Sequence, residues 1–144
     1  MNIQVKSISE LTAEELLSIF IERVAVFVVE QNCPYQEADE EDKVALHLCF
    51  TDETGLKAYS RIIDKGDYIT FGRVLVAQNA RKQHLGRKLV HRTIEEIQHR
   101  FPGKTITISG QAYLQKFYES FGFSVISEEY LEDGIPHIDM TLLA

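Results

Sequence analysis

Apolar and polar positions alternate through Ile3, Val5 and Ser7, the period of a short half-buried strand. Thr12-Ala13-Glu14-Glu15 then has the form of a capping box, and Leu16, Phe20, Val24 and Phe27 recur at helical spacing, which predicts a helix that stops before Pro34. Three strand-like runs follow, Val44 to Phe50, Leu56 to Ile63 and Tyr68 to Ala77. The turn-formers Asp52-Glu53-Thr54-Gly55 and Asp64-Lys65-Gly66-Asp67 separate them, so they read as an antiparallel meander. After Asn79 the period lengthens to 3.6, with Leu85, Leu89, Ile94 and Ile97 on one face, until Pro102-Gly103 ends the helix. Thr105 to Ile108 is a strand and Tyr113 to Phe121 a second short helix, closed by Gly122 as a left-handed C-cap. Phe123 to Tyr130 and His137 to Leu142 are strands joined through Glu132-Asp133-Gly134.

The resulting order is β-α-β-β-β-α-β-α-β-β, an α/β (mixed α+β) chain. A strand, crossover helix and strand in succession favour one parallel pair in the middle of an otherwise antiparallel sheet flanked by helices. With 144 residues, 44% of them hydrophobic, residues 1–144 are expected to form one domain. The longest apolar run, Val24 to Val29, falls far short of the roughly 20 residues of a membrane span. The start Met1-Asn2-Ile3-Gln4-Val5-Lys6 lacks the basic-then-apolar signature of a secretory signal, which predicts a cytoplasmic protein. Cys33 and Cys49 form no Cys-x-x-Cys pair, so neither a disulfide framework nor a cysteine-based metal site is expected.

Net charge is −7, which argues against nucleic acid and anionic membranes as partners, yet no acid occurs from Tyr68 to Ile94. Arg73, Arg81, Lys82, Arg87, Lys88 and Arg92 make that stretch a basic island, suited either to a local anionic ligand or to a solvated helix face. It also contains a strand running into a helix start with Gly86 inside. Unsatisfied N–H groups and the helix dipole favour phosphate there, although a lone glycine is equally explained by close packing.

These residues resemble the GNAT superfamily of acyl-CoA-dependent N-acyltransferases. Its pyrophosphate loop, Arg/Gln-x-x-Gly-x-Gly/Ala after a Val-x-Val strand, is matched by Val74-Leu75-Val76, Arg81, Leu85 and Gly86, with His84 at the first glycine. Gln111-Ala112-Tyr113-Leu114-Gln115-Lys116-Phe117-Tyr118-Glu119-Ser120-Phe121-Gly122-Phe123 matches the family's Asn-x-x-Ala-x-x-Phe-Tyr-x-x-x-Gly-Phe segment, with Gln111 for the asparagine and Leu114 for the alanine. Within the superfamily, Val26 to Glu37 and Asp133 to Ile138 resemble the ElaA-like group.

The resemblance implies a mostly antiparallel sheet with a central, splayed parallel pair. It implies acetyl-CoA as co-substrate, held by Val74, Leu75, Val76, Arg81, Lys82, Gln83, His84, Leu85, Gly86, Arg87 and Gln111. Leu75 supplies a backbone N–H to the thioester carbonyl from a bulged strand, and Tyr118 protonates the departing thiolate. The implied reaction is direct acetyl transfer to a primary amine of a small molecule or peptide by a monomer or homodimer, without a metal. From helical spacing alone Tyr118 reads as a packing residue beside Phe117 and Phe121, and it is the motif match that points to the acid role.

The amine must lose a proton, because an alkylammonium near pKa 10.4 is neutral only to roughly one part in a thousand at pH 7. Candidate bases are Glu30, the acids from Glu37 to Asp42, His47 and His137, of which Glu30 ends the first helix. The acidic cluster also favours a cationic acceptor. Arg23-x-x-x-Phe27 with Asp39-x-x-Asp42 and Arg61 resembles acyl-homoserine-lactone synthases, which adds Arg23, Asp39 and Asp42 to His47 and His137 as substrate-side candidates; a salt-bridge network is the alternative. The alternative function is an acyl-CoA sensor or partner-binding module without turnover.

Overall fold

The computed structural model describes residues 1–144. The strands are β1 Asn2–Lys6, β2 Leu46–Asp52, β3 Gly55–Asp64, β4 Ile69–Val76, β5 Ile106–Gln111, β6 Ser124–Val125, β7 Tyr130–Glu132 and β8 Ile135–Leu142. The helices are α1 Ala13–Arg23, α2 Leu85–Arg100 and α3 Gln115–Glu119, with 3-10 turns at Glu40–Lys43, Gln78–Gln83 and Ala112–Leu114. One sheet runs β1-β2-β3-β4-β5-β8-β6, and β7 adds to β8. β2 to β4 are the expected antiparallel meander, β1 pairs antiparallel with β2, β5 pairs antiparallel with β8, and the single parallel pair is β4–β5. That fold is the mixed, splayed sheet the family resemblance implied.

Each face of the sheet has its own core. α2 and α3 cover one with Leu89, Val90, Ile94, Ile97, Tyr118 and Phe123 against Leu48, Phe71, Ile106, Ile108 and Met140. α1 covers the other with Ile19 against Cys49, Leu56, Tyr59 and Leu75. The capping box forms: Glu15 N–H donates to Thr12 Oγ1 at 3.1 Å, and Thr12 N–H to Glu15 Oε1 at 2.9 Å. The helical stripe does not persist as expected. Arg23, the last residue of α1, is wholly buried, and the chain then widens into a π-helical stretch over Val24–Glu30 in which Val24 is 42% exposed.

Two further expectations change. The second short helix is a 3-10 turn followed by α3, and the strand expected from Phe123 to Tyr130 is two short pieces. Gly122 ends α3 with φ +99°, Phe123 anchors in the core, and Ser127 Oγ then takes the N–H of Asp139 at 2.8 Å where a strand would supply a carbonyl.

Candidate active site

β4 and β5 pair only at Ile69–Ile106 and diverge beyond it. Their separation opens a cleft of about 720 Å³, walled by Phe71 to Val76 on one side and Ile108 to Gln111 on the other. An extra residue in β4 produces part of this geometry. Tyr59 pairs with Leu75, whereas Arg61 pairs with Gly72, so Arg73 and Val74 share the place opposite Ser60. Arg73 takes φ +50°. The bulge flips the alternation of side chains: Phe71, Val74 and Val76 face the α2 core and Leu75 faces α1. The bulge expected in this strand lies at Arg73 and Val74, and Leu75, the residue expected to meet the thioester, is back in register directly after it.

Tyr118 lines the cleft from α3 and is only 5% exposed. Burial pushes its phenol pKa up to about 12, and no side chain hydrogen-bonds its hydroxyl. Its ring packs against Phe71, Phe117 and Phe123 and over Gly110, where an added Cβ would come within 3.3 Å of Tyr118 Cε2. Sequence reasoning missed Gly110, although a glycine inside a strand is a signal of close approach.

The loop from Gln78 to Gln83 leads into α2. His84, at the family's glycine position, has φ +56°, a left-handed conformation that explains why glycine suits the site. A Cβ on Gly86 would meet nothing nearer than Val76 Cγ2 at 4.0 Å, so packing against this chain does not require glycine there. The N-terminus of α2, this open glycine and the unpaired β4 edge fit a pyrophosphate and its extended arm. Arg81 lines the cleft, but both its Nη atoms clasp Glu30 at 2.5 and 2.6 Å, and its Nε donates to the Val76 carbonyl. Lys82, Gln83 and His84 are exposed on the loop, and Leu85 is buried beneath it. Arg87, expected to hold phosphate, donates to Ser120 Oγ and lies 4.7 Å over the Phe121 ring.

Several of the substrate-side candidates are engaged in ion pairs. Arg23 donates to Asp42, Glu37 and the Glu37 carbonyl, Arg61 pairs with Asp39 and Asp42, and Arg73 lies 2.7 Å from Glu37. Burial alone would raise the Asp42 pKa, but hydrogen bonds from Arg23 and from the Asp39 N–H hold it down at about 2. Arg23, Asp39 and Asp42 thus form a compensated network outside the cleft wall, and Glu37 is matched by arginine too, which is the salt-bridge alternative to a substrate-side role.

His47 is wholly buried beside that network. Its Nε2 faces the Asp42 carbonyl at 3.1 Å and must donate, so Nδ1 accepts from Tyr59 OH at 2.6 Å; burial lowers its pKa. With both nitrogens engaged and no place in the cleft wall, His47 is a structural residue. The Arg81 hydrogen bonds depress the Glu30 pKa, which makes Glu30 a poor proton acceptor while the clasp holds. His137 differs: it lines the cleft on β8, opposite Gln111. Tyr35, Cys33, Ser109, Glu132 and Asp133 complete this end, and Tyr35 carries the Arg73 guanidinium 5.6 Å from its ring.

Residues 8–144 match the family model of the GNAT acetyltransferase domain, and the chain belongs to that family. Escherichia coli ElaA is 42% identical over 137 residues, covering 92% of this chain and 90% of ElaA. The ElaA crystal structure superposes with a TM-score of 0.93 at 40% identity, over 98% of this chain and 99% of that one. An acyl-CoA N-acyltransferase from Pseudomonas aeruginosa reaches 0.93 at 38% identity, covering 97% of both chains. The acyl-homoserine lactone synthase BjaI reaches 0.81 at 15% identity over 96% of this chain and 81% of its own, a likeness of fold alone.

Proposed function

We propose that this chain acts as one domain that transfers an acetyl group from acetyl-CoA to a primary amine of a small molecule or peptide, by direct attack. The observation that carries the reading is the cleft where β4 leaves β5, with the unpaired Tyr118 hydroxyl inside it. An extended thioester arm can pair with the freed β4 edge, which places the acyl carbonyl beside the bulge at Arg73 and Val74. Main-chain N–H groups there would polarise it. Tyr118, a neutral phenol at physiological pH, has a proton to give as the C–S bond breaks.

No covalent enzyme intermediate is needed. Burial pushes the Cys49 thiol up to about 12, and the Cys33 thiol donates to the Asp133 carbonyl at 3.4 Å. The test is release of CoA from acetyl-, propionyl- and hexanoyl-CoA across a panel of primary amines, with and without thiol blocking. Ternary-complex kinetics with an acetyl preference are expected. Ping-pong kinetics would refute direct attack, and CoA binding without release under any amine would assign a sensor.

A further inference from the structure

We propose that His137 Nε2 and Glu132 Oε2 form the seat of the acceptor ammonium, and that His137 takes its first proton. The inference rests on the acyltransfer reading above and adds to it the proton acceptor and the form in which the amine binds.

The tautomer of His137 follows from one contact. Nδ1 lies 2.7 Å from the Ile135 carbonyl, which can only accept, so Nδ1 carries the hydrogen. In the neutral ring Nε2 is then a bare lone pair. It lies 3.4 Å from Glu132 Oε2, in the cleft wall; the His137 side chain is 10% exposed and the Glu132 side chain 53%. When His137 is protonated this contact is an ion pair; in the neutral ring two acceptors face each other, and an external donor takes the place of the imidazolium proton. A primary ammonium brings three N–H donors and one positive charge, enough to satisfy both at once.

The other charged groups of the cleft do not compete. Glu30 is clasped by Arg81, Glu41 by Lys65, and Arg61 and Arg73 by the acids behind the wall. Glu132, the last residue of β7, and Asp133 in the turn after it are the cleft carboxylates with no lysine or arginine partner, and Glu132 contacts His137. The charge that selects a cation is therefore on this turn and not in the acidic run near Asp39.

The groups facing His137 are Glu132 from β7, Gln111 from β5 and Tyr130, whose ring stacks at 6.2 Å. The Tyr130 hydroxyl donates to Asp139 at 2.5 Å and meets Ser109 Oγ, which fixes the ring. Proton flow balances as follows. His137 takes one proton from R–NH3+, and the freed nitrogen attacks the thioester carbon. As the adduct collapses the C–S bond breaks, the thiolate gains a proton from Tyr118, and the second proton leaving nitrogen passes through solvent to restore the phenol. The imidazolium returns its proton to solvent, so one proton is released per amide formed.

The experiment has two arms. In the first, 15N-labelled protein with CoA bound is titrated with primary alkylamines from methylamine to spermidine, and the His137 ring nitrogens are followed by NMR. Nε2 should shift with at least one amine, and in Glu132→Gln the midpoint of that shift should move to about tenfold higher amine; no Nε2 response to any amine overturns the proposal. In the second, His137→Gln should lower kcat by about 10²- to 10³-fold and remove the acid limb of the kcat/KM profile. CoA affinity and melting temperature should stay within error, and imidazole should restore part of the rate in His137→Ala. Glu132→Gln should raise KM for the amine about tenfold and leave kcat within threefold. Wild-type turnover equalled by His137→Gln refutes the base. A wild type that shows the NMR shift but releases no CoA with any amine refutes the acyltransfer reading and leaves the ammonium seat standing.

Discussion

Gly86→Ala separates a glycine kept for packing from one kept for a ligand, because the two predict opposite signs. The added Cβ meets no protein atom closer than Val76 Cγ2 at 4.0 Å, an ordinary contact distance, and the residue is the second of α2. Alanine also restricts the unfolded chain, so the substitution should stabilise the free protein by about 0.5 to 1 kcal/mol. For a chain of this length that is a rise in Tm of about 2 to 4 °C. Where a phosphate approaches the N-terminus of α2, the same methyl stands in the way, and losing one charge-assisted hydrogen bond of about 1.5 to 3 kcal/mol weakens binding about 10- to 100-fold. Calorimetric unfolding without ligand and titration with CoA measure both quantities on one preparation. A fall in Tm, or unchanged CoA affinity, would refute the argument.

Tyr118→Phe removes a hydroxyl that no side chain binds, so stability should hold while kcat drops by about 10² to 10⁴; loss of stability with intact turnover would make the residue structural. Gly110→Ala should lower kcat and leave CoA affinity unchanged, because the new methyl, 3.3 Å from Tyr118 Cε2, displaces the ring by a few tenths of an ångström, as a crystal structure of the variant would show. Glu30→Gln releases Arg81 from its clasp, so CoA should bind more tightly and turnover persist, whereas a catalytic base at Glu30 would show a loss of rate. Arg23→Met leaves Glu37 and Asp42 buried without their main partner and should cost about 3 to 5 kcal/mol in denaturant unfolding. The Asp42 pKa is lowered from 3.8 to about 2, so its contribution is complete above pH 3.8 and declines as pH falls to 2. Tyr118 and Cys49 are raised to about 12, so they add a decline that starts as pH rises past about 9, and unfolding curves against pH should show both flanks.

Much of the fold was legible because its signals are local. A capping box, two turn clusters in the meander and a change of period after Asn79 each act within a few residues, and the elements they predict are present. The Tyr118 segment was legible for the same reason: Phe117, Tyr118, Gly122 and Phe123 sit at spacings set by one short helix and its cap. The helix containing Arg23 was misread at its end, because periodicity treats arginine as a polar, outward residue. Only the arrival of Glu37 and Asp42 from a separate loop makes its burial tolerable.

The chain by itself determined the order of elements, the parallel crossover and the sequence segments that border the cleft, since these follow from periodicity and from motifs a few residues long. The tertiary structure decided which charges remain available. Glu30, Arg81, Asp42 and His47 are chemically able candidates on paper, and each is committed to a partner between 5 and 51 positions away. His137 and Glu132 are set apart by the opposite circumstance, that folding places two acceptors 3.4 Å apart in a cleft wall with no lysine or arginine between them. Coulomb and hydrogen-bond energies depend on distance in space and on burial, and distance along the chain records neither.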